Sequence, residues 1–346
     1  MSDSITKEQW LRAKDALHEA EGNMSEGARL LALPRTTFRH HLLSGNVKFT
    51  ATDKADIERP YLPSELPPNE ELVAERIKRF QRTREARDAR KLIPIKVNLP
   101  GPICVVHMGD PHVDDDGTDL GLLAHHLELV KNTKGMFGAN VGDMQNNWVG
   151  RLSHLWGQQS TSGAEAWALT EWLVTSIPWL YLVGGNHDIW SGVGDPIKWM
   201  IERCRGIYEW YGVRLALQFP NGREVRVNAR HDFKGHSQWN PAHGVGKAVR
   251  MGWRDHILTC GHKHVSGWMI LKDPANGMLS HAIRVGSYKV FDRYADEKNL
   301  TDENLAACAT VIDPDAEREE DLVTPMWSID RAAEFVTYLR KTRGYA

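Results

Sequence analysis

Residues 179–183, Trp-Leu-Tyr-Leu-Val, form an apolar run that passes directly into Gly184-Gly185-Asn186-His187-Asp188. A short apolar run closed by glycines reads as a buried strand, because a buried helix needs about ten residues or more. The two glycines let the backbone turn sharply and come close to a neighbour. An amide, an imidazole and a carboxylate follow at the place where an open α/β sheet collects ligands, beyond the carboxyl ends of its strands. The same residues also fit a surface turn in which Asn186 and Asp188 cap the next helix. Which reading holds depends on whether other strands of the chain end in the same way.

They do. A strand over 102–108 leads into Gly109-Asp110-Pro111-His112, and one over 136–141 into Gly142-Asp143. The strands at 213–219 and 224–229 flank Pro220-Asn221-Gly222, a hairpin signal, and the second delivers His231. A strand over 256–260 ends in Gly261-His262-Lys263-His264. Further strands are expected at 268–271, 281–285 and 306–312, and helices at 120–131, 164–177, 197–205 and 329–343. This alternation predicts an α/β body over 93–346. A single histidine at a strand end is commonly a satisfied core residue. Five clusters of ligand-type side chains are hard to assign to packing, since buried carboxylates and imidazoles need partners. A pair of divalent cations provides them.

In this order the clusters resemble the calcineurin-like metallophosphoesterase superfamily, whose motifs run D-x-H, G-D, G-N-H-[DE], H and G-H-x-H. The resemblance covers about residues 103–290 and implies a four-layer αββα sandwich. It implies that Asp110, His112 and His264 hold one metal ion, that Asn186, His231 and His262 hold the other, and that Asp143 bridges both. It places His187 beside the scissile phosphate with Asp188 orienting it, and a metal-bridged hydroxide as the attacking group. Mixed oxygen and imidazole ligands suit two divalent ions of the manganese type, with iron, zinc or nickel as alternatives, better than magnesium or calcium.

Phosphomonoester enzymes of the phosphoprotein-phosphatase branch carry G-D-x-x-D-R-G, whose arginine grips a dianionic phosphate as a fork. Here the second motif reads Gly142-Asp143-Met144-Gln145-Asn146-Asn147-Trp148, Arg151 is out of register, and the third motif ends in Asp188 rather than Glu. Both departures imply a phosphodiesterase of nuclease-like type. The alternatives are a protein phosphatase or small-nucleotide phosphodiesterase with a partner-binding head, and a DNA-binding regulator with an inactive body. All seven ligand positions are filled, which argues against a decayed site. Trp148, Trp156, Trp190 and Trp239 lie near motif ends where they could stack on bases. Lys234, Lys247, Arg250, Arg254 and above all Lys263 are placed to meet phosphates.

Residues 1–45 resemble a Fis-type helix-turn-helix, on the stretch Gly22-Asn23-Met24-Ser25 to Arg29-Leu30 followed by Arg35-Thr36-Thr37-Phe38. Ser25 is expected to cap the second helix. The resemblance makes Arg35, Thr36, Thr37, Arg39 and His40 the residues facing a major groove. Gly27 departs from it, since such motifs carry Ala there, and glycine weakens a helix by up to about 1 kcal/mol. A three-helix packing or dimerisation module is the alternative. Residues 46–92 read as a proline-rich linker, then a charged helix over 69–91 with a basic second half. Together these features point to nucleic acid, DNA first, as the partner, with a homodimer also compatible, and the compact fusion has a phage- or prophage-like architecture.

No apolar run reaches membrane-spanning length. The start of the chain has no signal-like apolar core, and Cys104, Cys204, Cys260 and Cys308 form no Cys-x-x-Cys pair. A cytoplasmic protein without a membrane is the expectation.

Overall fold

The structure, a computed structural model, describes residues 5–43, 66–189, 194–202, 206–291 and 305–345. Trp190, Cys204 and most of the expected proline-rich linker lie outside the described residues. The chain divides into two compact units, 1–73 and 74–346.

The first unit contains helices α1 (Lys7–Glu19), α2 (Met24–Leu30) and α3 (Arg35–Leu43). They enclose a small core of Ala13, Ala16, Ala28 and Phe38. A capping box of Thr6 and Gln9 opens α1. The cap of α2 is Asn23, whose Oδ1 accepts from the amides of Ser25 (3.0 Å) and Glu26 (3.3 Å). This corrects the expectation for Ser25: the asparagine stands one residue before the helix, where a cap must stand, and Ser25 already lies inside it. The departure at Gly27 also has a cause. A Cβ there would lie 2.7 Å from Cζ of the fully buried Phe38. Glycine therefore makes room for the largest side chain of this core. Arg35, Thr36, Arg39 and His40 are exposed on α3, and Thr37 is half-buried. Helix α4 (Asn69–Ala89) buries none of its residues.

In the second unit, strands β1 (Ile93–Lys96) and β2 (Ile103–Met108) precede α5 (Leu120–Asn132) and β3 (Met136–Asn140). A 3-10 stretch (Gly150–Gln158), α6 (Gly163–Thr175), β4 (Trp179–Gly184), α7 (Asn186–Ile189) and α8 (Pro196–Ile201) come next. Then come β5 (Ile207–Trp210), β6 (Gly212–Gln218), β7 (Glu224–Arg230), α9 (His243–Arg250), β8 (Ile257–Cys260), β9 (Gly267–Lys272) and β10 (Leu279–Arg284). The described tail holds β11 (Ala307–Ile312), α10 (Glu319–Leu322), β12 (Val323–Met326) and α11 (Ile329–Thr342).

The strands form two six-stranded mixed sheets, ordered β1-β6-β7-β8-β10-β9 and β12-β11-β2-β3-β4-β5. Strand alternation sorts their side chains into layers. Ile103, Val105, Tyr181 and Val183 point into the space between the sheets, where they meet Leu215, Val227, Ile257 and Ile283. Cys104, Val106, Met108 and Leu182 point the other way, against Leu123 and Leu127 of α5, Leu173 of α6 and Val336 of α11. On the far side, Val245 and Val249 of α9 cover Leu258 and Ala282. The result is the αββα sandwich implied by the motifs. His107 is a satisfied core histidine: its ring nitrogens lie 2.7 Å from Tyr181 Oη and 2.9 Å from Thr310 Oγ1. Burial pushes it down to about 3.

The four-residue strands β1, β5 and β12 have no counterpart among the sequence expectations. All three lie at sheet edges, where only one neighbour and half a core select for apolar residues, so their patterns are weak. Strands β2, β3, β4 and β5 run parallel, as do β7, β8 and β10. Their carboxyl ends meet at one rim of the sandwich. Among the described residues, no helix is long and apolar enough to cross a membrane.

Candidate metal centre

Each expected ligand leaves the end of a strand at that rim. Asp110 and His112 follow β2, Asp143 follows β3, Asn186 follows β4, His231 follows β7, and His262 and His264 follow β8. Asp110, His112, Asp143, His262 and His264 all hold positive φ, between 30° and 71°. L-residues adopt this region at a cost, and such strain gathers where a side chain must be aimed. The backbone turns back on itself after β2, β3 and β8, and Asn186 and His231 join from the ends of β4 and β7.

The contacts are close. His231 Nε2 lies 2.9 Å from Asn186 Oδ1, 3.0 Å from His262 Nδ1 and 3.2 Å from Asp143 Oδ2. His264 Nε2 lies 3.6 Å from Asp110 Oδ2, and the His112 ring stands 5.2 Å from that of His264. Asp110 Oδ2 also accepts the His262 amide at 2.5 Å. His231 Nδ1 donates to the Val141 carbonyl (2.9 Å), which fixes the tautomer and turns Nε2 toward the cluster. One ring nitrogen thus faces three polar atoms and can carry one proton at most.

Cations fit this donor set. Asp143, His231 and His262 bring ligand atoms within 4.8 Å of one another. Asp110 Oδ1 and His112 Nδ1 are buried with no hydrogen-bond partner among the described residues. Such orphaned groups are costly unless something else satisfies them. The titration directions agree. Burial, with the Asp143 charge beside it, drives the Asp110 carboxyl well above its ordinary range. Burial opposes charge on Asp143 too, but His231, by its charge and its hydrogen bond, holds the carboxyl low. Burial and the neighbouring His187 and His264 push His112 far down, so its ring is neutral and able to ligate. Burial also works against charge on His231, yet Asp143 and Asp110 outweigh it and raise that imidazole to about 10.

Two glycines leave the space these side chains need. A Cβ on Gly185 would collide with Asp143 Oδ1, and one on Gly142, whose φ is +117°, would lie 2.5 Å from His231 Nδ1. Gly185→Ala is expected to displace the Asp143 carboxylate and weaken metal affinity by roughly 10- to 100-fold. Calorimetric titration with manganese tests this, and unchanged affinity contradicts it.

His187 stands at the edge of the cluster. Its amide donates to Asp143 Oδ1 (3.0 Å), and its ring lies 5.2 Å from that of His112. Its ring Nδ1 is 2.5 Å from the Asn146 carbonyl. This corrects the expected pairing with Asp188. The fully buried Asp188 faces the turn instead: Oδ2 accepts the amides of Asp143 (2.8 Å) and Gly185 (2.8 Å), and Oδ1 that of Met144 (2.9 Å). Three backbone donors at the junction of β3 and β4 outcompete one ring nitrogen. Burial and the Asp143 charge push the Asp188 carboxyl upward, against the pull of these amides.

The basic residues are dispersed. Lys263 Nζ donates to the Gly235 carbonyl (2.9 Å), and Arg254 pairs with Asp273 at 2.5 Å. Lys234, Lys247 and Arg250 are exposed. Trp148 lies edge-on to His187 with centroids 5.4 Å apart, Trp156 donates to its carbonyl (2.6 Å), and Trp239 is 93% exposed. Sequence reasoning missed the role of Asn146, which meets His187, and of Asp114, Asp115 and Gln159, which bond Asn146, and Lys289, which pairs with Asp115. The run Asp114-Asp115-Asp116 directly after the first motif was a readable signal.

No family model and no curated protein matches the chain. Among solved structures it is similar to vacuolar protein sorting 29 from Cryptosporidium parvum, at 15% identity and a TM-score of 0.37, over 65% of this chain and 97% of that one. It is similar to the calcineurin-like phosphoesterase YfkN from Bacillus subtilis, at 11% identity and a TM-score of 0.35, over 70% and 97%. A third likeness is to Vps29 complexed with zinc from Entamoeba histolytica, at 12% identity and a TM-score of 0.31, over 65% and 97%. At these scores the role of each residue rests on the geometry of this chain alone.

Proposed function

We propose that the chain is a metal-dependent phosphoesterase that hydrolyses phosphodiesters, with nucleic acid as the substrate class. The observation that carries this reading is the convergence of Asp110, His112, Asp143, Asn186, His231, His262 and His264 on one strained rim, with His187 beside them. In this reading Asp110, His112 and His264 hold one divalent ion, Asn186, His231 and His262 the second, and Asp143 both. When bound, two such ions clamp a phosphate and lower the pKa of water.

The protein's own groups do the rest. Val141 holds the His231 tautomer, and the His262 amide holds Asp110. With Nδ1 of His187 bonded to the Asn146 carbonyl, Nε2 is the ring atom that holds or moves a proton, toward the leaving oxygen or onto a phosphoryl oxygen.

The second motif supports a diester. Met144, Gln145 and Asn146 are buried, and Asn147 donates to the His187 carbonyl at 2.7 Å. None of them presents the cation that a dianionic monoester requires. Trp148 beside His187, exposed Trp239, and the exposed Arg35, Thr36, Arg39 and His40 of α3 favour nucleic acid.

The test uses full-length protein with manganese on bis(4-nitrophenyl) phosphate, 4-nitrophenyl phosphate, and single- and double-stranded DNA. Hydrolysis of the diester and of DNA, abolished by a chelator and restored by manganese, is expected. Turnover of the monoester alone would overturn the assignment.

A further inference from the structure

Asp114, Asp115, Gln159 and Lys289 are outside the ligand set, yet they enclose the segment that holds His187. We propose that Asp115 and Lys289 are positioning residues for the His187 imidazole, acting through Asn146. This rests on the role proposed above for His187.

Each link is a direct contact. The Asn146 carbonyl meets His187 Nδ1 (2.5 Å). The Asn146 side-chain amide donates to Asp115 Oδ2 (2.7 Å) and Gln159 Oε1 (3.0 Å), and its backbone amide to Asp114 Oδ1 (2.7 Å). Lys289 Nζ lies 2.9 Å from the same Asp115 Oδ2, and the Gly117 amide donates to Oδ1 (2.9 Å). The flank of the imidazole is tied in as well: Trp148, 5.4 Å from the His187 ring, donates from Nε1 to Gln159 Oε1 (2.8 Å) and has Lys289 Nζ 5.8 Å from its own ring.

Such a network does more than stabilise. Lys289 is only 8% exposed, and a buried ion pair contributes little net stability because both charges are desolvated. The residues it holds sit on irregular backbone, with Asn147 at φ 40°, so no helix or strand ladder sets the Asn146 carbonyl. The ion pair supplies that constraint. It fixes the carbonyl that selects the Nδ1–H tautomer and so makes Nε2 the nitrogen that exchanges a proton with the substrate.

Asp115→Ala and Lys289→Met test this, with Lys289→Arg as the conservative control. The substrates are two diesters that differ in leaving group, methyl phenyl phosphate and methyl 4-nitrophenyl phosphate. For the phenyl ester, which needs proton donation, kcat is expected to fall roughly tenfold or more, with KM little changed and Lys289→Arg recovering most of it. The 4-nitrophenyl ester should lose much less. In metal-free protein, nitrogen-15 spectra of the His187 ring should show the Nδ1–H tautomer in wild type and a mixture in Asp115→Ala and Lys289→Met. Equal losses on both esters, or an unchanged tautomer in Lys289→Met, overturn the proposal. If Asp115→Ala fails to fold, the Met and Arg variants of Lys289 decide. If wild type hydrolyses neither these esters nor DNA, the phosphoesterase assignment fails, while the ring spectra still decide the positioning.

Discussion

His187→Ala is expected to lower kcat on a diester with a poor leaving group by about 100- to 10,000-fold, the range removed with a general acid or base. Metal content should stay at the wild-type level, because His187 is not among the residues proposed to hold the ions and its Nδ1 meets the Asn146 carbonyl. The loss should shrink on 4-nitrophenyl esters, whose leaving group needs little protonation. Metal analysis together with kcat on the two ester types checks all three statements. Full activity in His187→Ala on the poor leaving group would refute the proposed role.

Asp188→Ala is expected to act differently. Its carboxylate takes the amides of Asp143, Met144 and Gly185 in the interior. Leaving an interior donor without an acceptor costs about 1–3 kcal/mol, so the loss should reach about 3 kcal/mol or more. Part of this is returned, because removing a buried charge beside Asp143 relieves repulsion. Three lost hydrogen bonds outweigh that one relief. Thermal unfolding of metal-free protein should show a clear drop, and manganese affinity should fall as Asp143 loses its brace. If Asp188 instead oriented His187, activity would collapse with stability and metal affinity intact. Unfolding, metal titration and turnover on the same two variants separate the outcomes.

The cluster at the rim was legible because most of its members lie just beyond an apolar run, and His231 lies beyond the second arm of a hairpin. A parallel sheet buries near-continuous hydrophobic strands and ends them at one edge, so the sequence displays both the strand and the polar residues at its end. The partner of His187 was not legible. A backbone carbonyl such as that of Asn146 accepts a hydrogen bond whatever its side chain, so no residue type announces it. Asp188 misled for a related reason. Adjacency to His187 suggested a pair, but α7 turns the two side chains apart and the nearer backbone amides bind the carboxylate. In the first unit, the glycine at 27 looked like a defect, and only the position of Phe38 showed why it is needed.

By itself, then, the sequence determined most of the strands in chain order and the donor chemistry at their ends, since both arise from local period and residue type, while the αββα sandwich was implied by the family resemblance of the ordered motifs. The tertiary structure decided which donors share a proton, which carboxylate braces the turn, and what holds the imidazole. Those depend on left-handed backbone at Asp110, His112, Asp143, His262 and His264, and on contacts such as Asn146 to Asp115 and Asp115 to Lys289. Asp115 and Asn146 meet because β2 and β3 pair in parallel, and Lys289, which follows β10 of the other sheet, joins them only when the two sheets close on one another; no local pattern encodes that distance.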